Sequence, residues 1–163
     1  MTIQHIIFDC DGVLVDSEPL SMRIDVEILA ENGVVMGEDE AHRRFVGKTF
    51  AAMIAEVSRE FGASFPPGAS SDKDRRLLDL YERELKPVPG IAEALHAIAM
   101  APYSVASNSP AQRVAEALRI TGLTRHFGNR IHPFEHVANG KPEPDVFIEP
   151  ARRDNADPAR CLV

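Results

Sequence analysis

The chain has only two cysteines in 163 residues, Cys10 and Cys161, and they form no CxxC pair. A disulfide framework is therefore excluded, in keeping with a reducing compartment, and Cys10 reads as a small packing residue. No apolar run approaches the length of a membrane span. Residues 1–15 have no basic start, and Asp9 and Asp11 break their apolar stretch, so they do not form a secretory signal. Basic charge is also scarce: 18 Lys and Arg stand against 25 Asp and Glu, a net charge of −7. That balance offers no field for nucleic acid and repels anions at long range, so an anionic ligand needs local donors or a metal. There is no HExxH pair, no CxxxxxR loop, no GxxxxGK loop, no internal repeat and no low-complexity segment. His132 and His136 are four apart, but Pro133 interrupts them, which favours packing or surface roles over zinc binding. The composition, 44% hydrophobic and 26% charged, is that of a globular chain. A cytoplasmic, monomeric domain with neither membrane nor nucleic-acid partners is the expectation.

Two textures follow one another along the chain. Residues 3–8 are dense in β-branched and aromatic side chains and read as a strand. After them comes helical punctuation only. Ser17 is placed to cap a helix that Gly33 ends, residues 38–46 suit a short helix, and Thr49 caps another before Gly62. Residues 71–86 suit a fourth helix, with Leu77, Leu78, Tyr81 and Leu85 facing inward and the charges from Asp72 to Arg76 on its solvated face. From Val88 onward helix and strand alternate. Helices are expected over 91–98, 110–122 and 144–153, and strands over 103–106, 129–134 and from Cys161 onward. Pro150 should kink or end the last of these helices. Alternation of this kind predicts an α/β fold, a parallel sheet covered by helices, here with an all-helical insertion.

Ligand chemistry in such sheets lies beyond the carboxyl ends of the strands. Asp9 and Asp11 follow the first strand, Ser107 and Asn108 the second, and Lys141 the third. Turn propensity accounts for Gly12 but poorly for Asp9. A carboxylate can attack phosphorus, a second carboxyl can protonate the leaving oxygen and later deprotonate water, and a lysine can hold the phosphate. Adjacent carboxylates also call for a cation, and Mg²⁺ suits them.

These residues resemble the haloacid dehalogenase superfamily of phosphotransferases. The resemblance rests on Asp9, Cys10, Asp11 and Gly12 as a first motif, Ser107 with Asn108 as a second, and Lys141 within GKPEPD as a third. It implies a Rossmann-like core formed by residues 1–16 and 86–163, with residues 17–85 as a helical cap. It further implies Asp9 as nucleophile and Mg²⁺ ligand, and Asp11 as general acid/base that binds Mg²⁺ through its backbone carbonyl. Phosphate binding falls to Asp11, Gly12, Ser107, Asn108 and Lys141, and Lys141 also steadies Asp9. Glu18, Arg44, Gly47 and Lys48 are the substrate-specificity candidates.

The implied activity is Mg²⁺-dependent hydrolysis of a small phosphorylated metabolite, a sugar phosphate or phosphorylated sugar acid, through an aspartyl-phosphate. The presence of Asp11 argues against halide displacement. Ser21, where β-phosphoglucomutases place a histidine, favours hydrolysis over the alternative of a β-phosphoglucomutase-like phosphotransferase. The family's strand order puts the strand beginning at Cys161 beside the first strand, and relatives continue past it into a further acidic motif. On that comparison the core is expected to be incomplete at its carboxyl end, and a non-catalytic remnant that binds phosphate or a partner is a further alternative.

Overall fold

The computed structural model describes residues 2–98 and 100–163, which divide into two compact units, Met1–Ser17 with Glu84–Val163 and Glu18–Arg83. In the first unit four parallel strands, β1 (His5–Phe8), β2 (Tyr103–Ala106), β3 (Ile131–His132) and β4 (Cys161–Leu162), lie in the order β3-β2-β1-β4. β1 thus has a partner on each side, with Ile6 opposite both Tyr103 and Leu162. The strand texture of the sequence explains this: Ile7, Tyr103, Val105 and Ala106 are all buried. The register sends Phe8 and Tyr103 to one face, where they meet Phe127 of the helix α7 (Thr124–Phe127) edge to face at centroid distances of 5.4 to 6.3 Å. Ile7 and Ala106 point to the other face and pack on Val146 and Ala151 of α8 (Asp145–Arg153).

Several boundaries depart from the sequence reading. β1 begins at His5, and Ile3 is half exposed. β3 has two residues instead of six, because Pro133 cannot donate to the ladder and opens a 3-10 turn over Phe134–His136. α8 runs through Pro150 to Arg153 without an early end. The missing Pro150 donor costs one helical bond, but Val146, Pro150 and Ala151 are buried together, and the Asp154 amide still donates to the Pro150 carbonyl at 2.9 Å.

The second unit is all helical: α1 (Glu18–Glu31), α2 (Glu38–Phe45), α3 (Phe50–Phe61) and most of α4 (Ala69–Glu84). Thr49 caps α3 by accepting the Ala52 amide at 3.2 Å, and Gly62 ends it at φ 68°. Met22, Leu29, Val34, Met36, Phe45, Met53 and Val57 form its core. α4 begins and ends two residues earlier than expected, and Leu80 is buried where Leu78 was the inward candidate. Lys73 is a larger correction. It lies in the charged run read as a solvated face, yet it is 7% exposed, with its ammonium 2.6 Å from Asp25 and 4.9 Å from the Phe50 ring centre. A helical pattern shows that a residue is charged but not that another helix offers it a carboxylate. Among the described residues, no helix is long and apolar enough to cross a membrane.

A second buried polar group lies at the α8 end of the sheet. The His5 imidazole Nε2 is 2.9 Å from Ser104 Oγ and 3.3 Å from Asp154 Oδ2, which also meets His132 Nε2 at 3.1 Å. Burial holds the His5 imidazole below its ordinary value of 6.5, outweighing the attraction of Asp154, while Arg130 and His132 push the same way as burial.

Two outcomes follow from these buried charges. Lys73→Ala removes the ammonium 2.6 Å from the buried Asp25 carboxylate and should lower unfolding free energy by about 3 kcal/mol in urea denaturation. For His5 the unfolded chain takes up a proton as pH falls below 6.5 while the folded chain resists it, so the His5 contribution is complete above that pH and declines below it. The fall in wild-type stability between neutral pH and pH about 5 should therefore be shallower in His5→Gln, and equal slopes would contradict this account.

Candidate functional site

β1 delivers its chain directly into a tight turn. Three successive amides, those of Val13, Leu14 and Val15, turn back onto the Cys10 carbonyl, and the Gly12 amide donates to Val15 O at 2.9 Å. Gly12 sits at φ 74°, which an L side chain disfavours, so the glycine is required by the turn itself. The chain then runs beside the segment returning from α4: Asp16 N donates to Lys86 O at 2.9 Å, and Val88 N to Leu14 O at 3.0 Å. Asp9 and Asp11 are thereby fixed at the carboxyl end of the central strand.

Three loops bring compensation to these two carboxylates. Lys141 Nζ lies 2.7 Å from Asp9 Oδ1, which also accepts the Cys10 amide at 2.8 Å. Asp11 is held by hydroxyls: Ser17 donates to Oδ1 at 2.8 Å, and Ser107 and Ser109 donate to Oδ2 at 3.3 and 2.8 Å. The Asn108 side-chain carbonyl accepts the Lys141 backbone amide at 2.9 Å, tying the loop after β2 to the loop after β3. Asp9, Asp11, Ser107, Asn108 and Lys141 are thus brought together from three separate stretches. Cys10 lies among them but is 1% exposed, and burial, followed by the charges of Asp11 and Asp9, pushes its thiol well above the ordinary range. It stays protonated and packs, with no part in nucleophilic chemistry.

The remaining sequence candidates lie in the helical unit. Glu18 is exposed in the first turn of α1, and Gly47 occupies a positive-φ turn after α2 at φ 78°. Arg44 pairs with Glu60 and, at 3.5 Å, with Glu56, while Lys48 Nζ is 2.6 Å from Glu56. Lys48, and after it Arg44, hold the Glu56 carboxyl below its ordinary value. Arg44 also lies over the rings of Phe45 and Phe61. In this arrangement both cations are engaged by α3.

Sequence reasoning missed Ser17, Ser109 and Gly140. Ser17 reads as a helix cap, and its hydroxyl also donates its proton to Asp11. Ser109 carried a usable signal, since it stands two residues after Ser107 in a loop already singled out. Gly140 carries a steric one: a Cβ there would lie 2.7 Å from Asn108 Oδ1 and 3.0 Å from the Phe134 ring. Gly140→Ala should therefore displace Asn108 from the Lys141 amide. We expect a loss of about 1 to 3 kcal/mol in chemical denaturation and faster exchange of the Lys141 amide proton; unchanged exchange would count against the packing argument.

Comparison with known proteins bears on this constellation. Residues 6–163 match the family model described as haloacid dehalogenase-like hydrolase. The 6-phosphogluconate phosphatase of Escherichia coli K12 is 28% identical over 162 residues, covering 99% of this chain and 73% of that protein. A haloacid dehalogenase-like protein of unknown function from Agrobacterium tumefaciens superposes with a TM-score of 0.87 at 30% identity, covering 98% of this chain and 72% of that one. A hydrolase of the same family from Deinococcus radiodurans, solved with bound phosphate and sodium, gives a TM-score of 0.77 at 30% identity over 98% of this chain and 70% of that one. With its parallel sheet and the match extending over nearly its whole length, the chain belongs to the haloacid dehalogenase-like hydrolase family.

Proposed function

We propose that the protein is a phosphatase that hydrolyses a small phosphorylated metabolite, a sugar phosphate or phosphorylated sugar acid, through an aspartyl-phosphate on Asp9. The observation that carries this reading is the pairing of Lys141 with Asp9 at 2.7 Å, two residues from an Asp11 carboxylate held by hydroxyl donors. The 6-phosphogluconate phosphatase relative and the phosphate bound by the Deinococcus radiodurans hydrolase support it.

In the first half-reaction an Asp9 oxygen attacks phosphorus, the bond from phosphorus to the ester oxygen breaks, and Asp11 gives that oxygen a proton. In the second, Asp11 takes a proton from water as the water oxygen attacks phosphorus, releasing phosphate and restoring Asp9. Lys141 places a point charge beside both Asp9 and the transferring phosphoryl group. With substrate bound, Ser107 would turn its proton from Asp11 to the other phosphoryl oxygens, joined by the Asn108 side-chain amide and the Asp11 backbone amide that opens the Gly12 turn.

The donor set also fits magnesium, since Asp9 offers a partly exposed carboxylate and Asp11 a backbone carbonyl, both hard oxygens. No cluster of three His, Cys, Asp or Glu side chains that could cage a metal is found among the described residues. Mg²⁺ suits such a site because it needs few protein ligands and shares its shell with phosphate and water. When bound, the ion would neutralise charge on the phosphoryl oxygens.

We assign the helical unit, residues 18–83, the role of a cap that excludes water and selects substrate. Glu18, Arg44, Gly47 and Lys48 are its candidate substrate contacts. To hold an anionic group, Arg44 and Lys48 would have to exchange Glu56 and Glu60 for it, so that unpaired anions on the substrate would be favoured over neutral sugars.

Colorimetric phosphate release from a panel of sugar phosphates and phosphorylated sugar acids, with Mg²⁺ and with a chelator, tests the reading. Asp9→Asn should abolish both turnover and the phosphoenzyme detected by mass spectrometry. Asp11→Asn should slow turnover about 10² to 10⁴-fold. Full activity in Asp9→Asn would overturn the mechanism.

A further inference from the structure

Asp11 has three hydroxyl donors, Ser17, Ser107 and Ser109, and only Ser107 has a task in the reaction as described so far. Ser109 lies 8% exposed between β2 and α6 (Ala111–Ile120), and its hydroxyl is 2.8 Å from Asp11 Oδ2, the shorter of the two contacts to that oxygen. Arg113, four residues on in α6, donates from Nη1 to Ser109 Oγ at 3.4 Å. Ser109 also donates its backbone amide to Ser107 Oγ at 2.9 Å. The directions of these bonds are consistent. A serine oxygen that accepts from Arg113 keeps its own proton for Asp11, and Ser107, which accepts from the Ser109 amide, likewise turns its proton to Asp11. With Ser17 on the other oxygen, the Asp11 carboxyl is fixed about a torsion that is otherwise broad.

We propose that Ser109, braced by Arg113, is a positioning residue that aims the Asp11 carboxyl at the leaving-group oxygen of the substrate. The inference rests on the reading of Asp11 as the acid of a phosphatase. It assigns the SNSP loop two separable tasks: with substrate bound, Ser107 gives up its longer, 3.3 Å contact to Asp11 and turns with Asn108 to the phosphoryl oxygens, while Ser109, at 2.8 Å, stays on Asp11 and serves the proton. Losing the Ser109 hydroxyl leaves the attack of Asp9 intact but misaligns the proton donor. The harm therefore grows with the need of the leaving group for a proton.

A series of substituted phenyl phosphates, from p-nitrophenyl to unsubstituted phenyl, tests this through kcat/KM, which reports the half-reaction in which the ester oxygen departs. Ser109→Ala should reduce kcat/KM for phenyl phosphate about 10 to 100-fold but for p-nitrophenyl phosphate no more than about threefold, steepening the dependence on leaving-group pKa. Ser109→Thr, which keeps the hydroxyl, should restore the wild-type slope, and Arg113→Met should steepen it to a smaller degree. A merely structural role would lower every member of the series by the same factor, and parallel lines for wild type and both altered sites would overturn the inference while leaving the phosphatase reading intact. A wild-type protein inactive both on this series and on the panel of sugar phosphates and phosphorylated sugar acids would overturn the phosphatase reading and this inference with it; for one active on the panel alone, whose alkoxide leaving groups all need the proton, Ser109→Ala should lower kcat/KM about 10 to 100-fold, and an unchanged value would overturn the inference alone.

Discussion

Two carboxylates at the end of one central strand are the constraint around which the α/β unit is arranged. Like charges this close repel each other, and each is only partly exposed, so the fold has to supply compensation from elsewhere in the chain. It does so asymmetrically. Asp9 receives a full positive charge from Lys141, whereas Asp11 receives neutral hydroxyl dipoles from Ser17, Ser107 and Ser109. Two residues of the same type are thus placed in different electrostatic settings, as the proposed division into nucleophile and proton carrier requires. The order of the strands makes this feasible. β1 is paired with β2 up to Phe8, and the loops after β2 and β3 are delivered to the same rim by parallel pairing.

Supporting contacts extend one layer outward from the carboxylates. Asn108 joins the backbone of Lys141 to the loop that carries Ser107 and Ser109, and Gly140 leaves the space in which Asn108 sits. The turn at Gly12 sends the chain alongside residues 86–88, so both connections to the helical insertion are held against each other within the α/β unit. A site whose ligands come from separate loops keeps its geometry only if those loops are tied together, and here the ties are main-chain amides, which have little freedom to rearrange.

The places where sequence reasoning failed share a cause. Pro150 stays inside α8 because burial of its helix face outweighs a lost hydrogen bond, and propensity alone does not contain that burial. Lys73 is buried because Asp25 lies on another helix, 48 positions away in the chain. In each case a local rule was correct about the energy it described, and a partner distant in sequence supplied a larger one.

What the sequence by itself determined is the chemistry available and the order in which it is presented. Asp9, Asp11, Ser107, Asn108 and Lys141 are legible because few roles need those residue types directly after successive apolar strands, and the helical insertion is legible from its period and its caps. Tertiary structure alone decided how the groups are paired: that Lys141 serves Asp9, that Asp11 is held by Ser17 and Ser109, and that Arg44 and Lys48 are engaged by Glu56 and Glu60. The physical reason is the reach of each effect. Propensity and periodicity act within a few residues and are written along the chain, whereas a hydrogen bond or ion pair depends on distances in space that only the packed sheet and helices set.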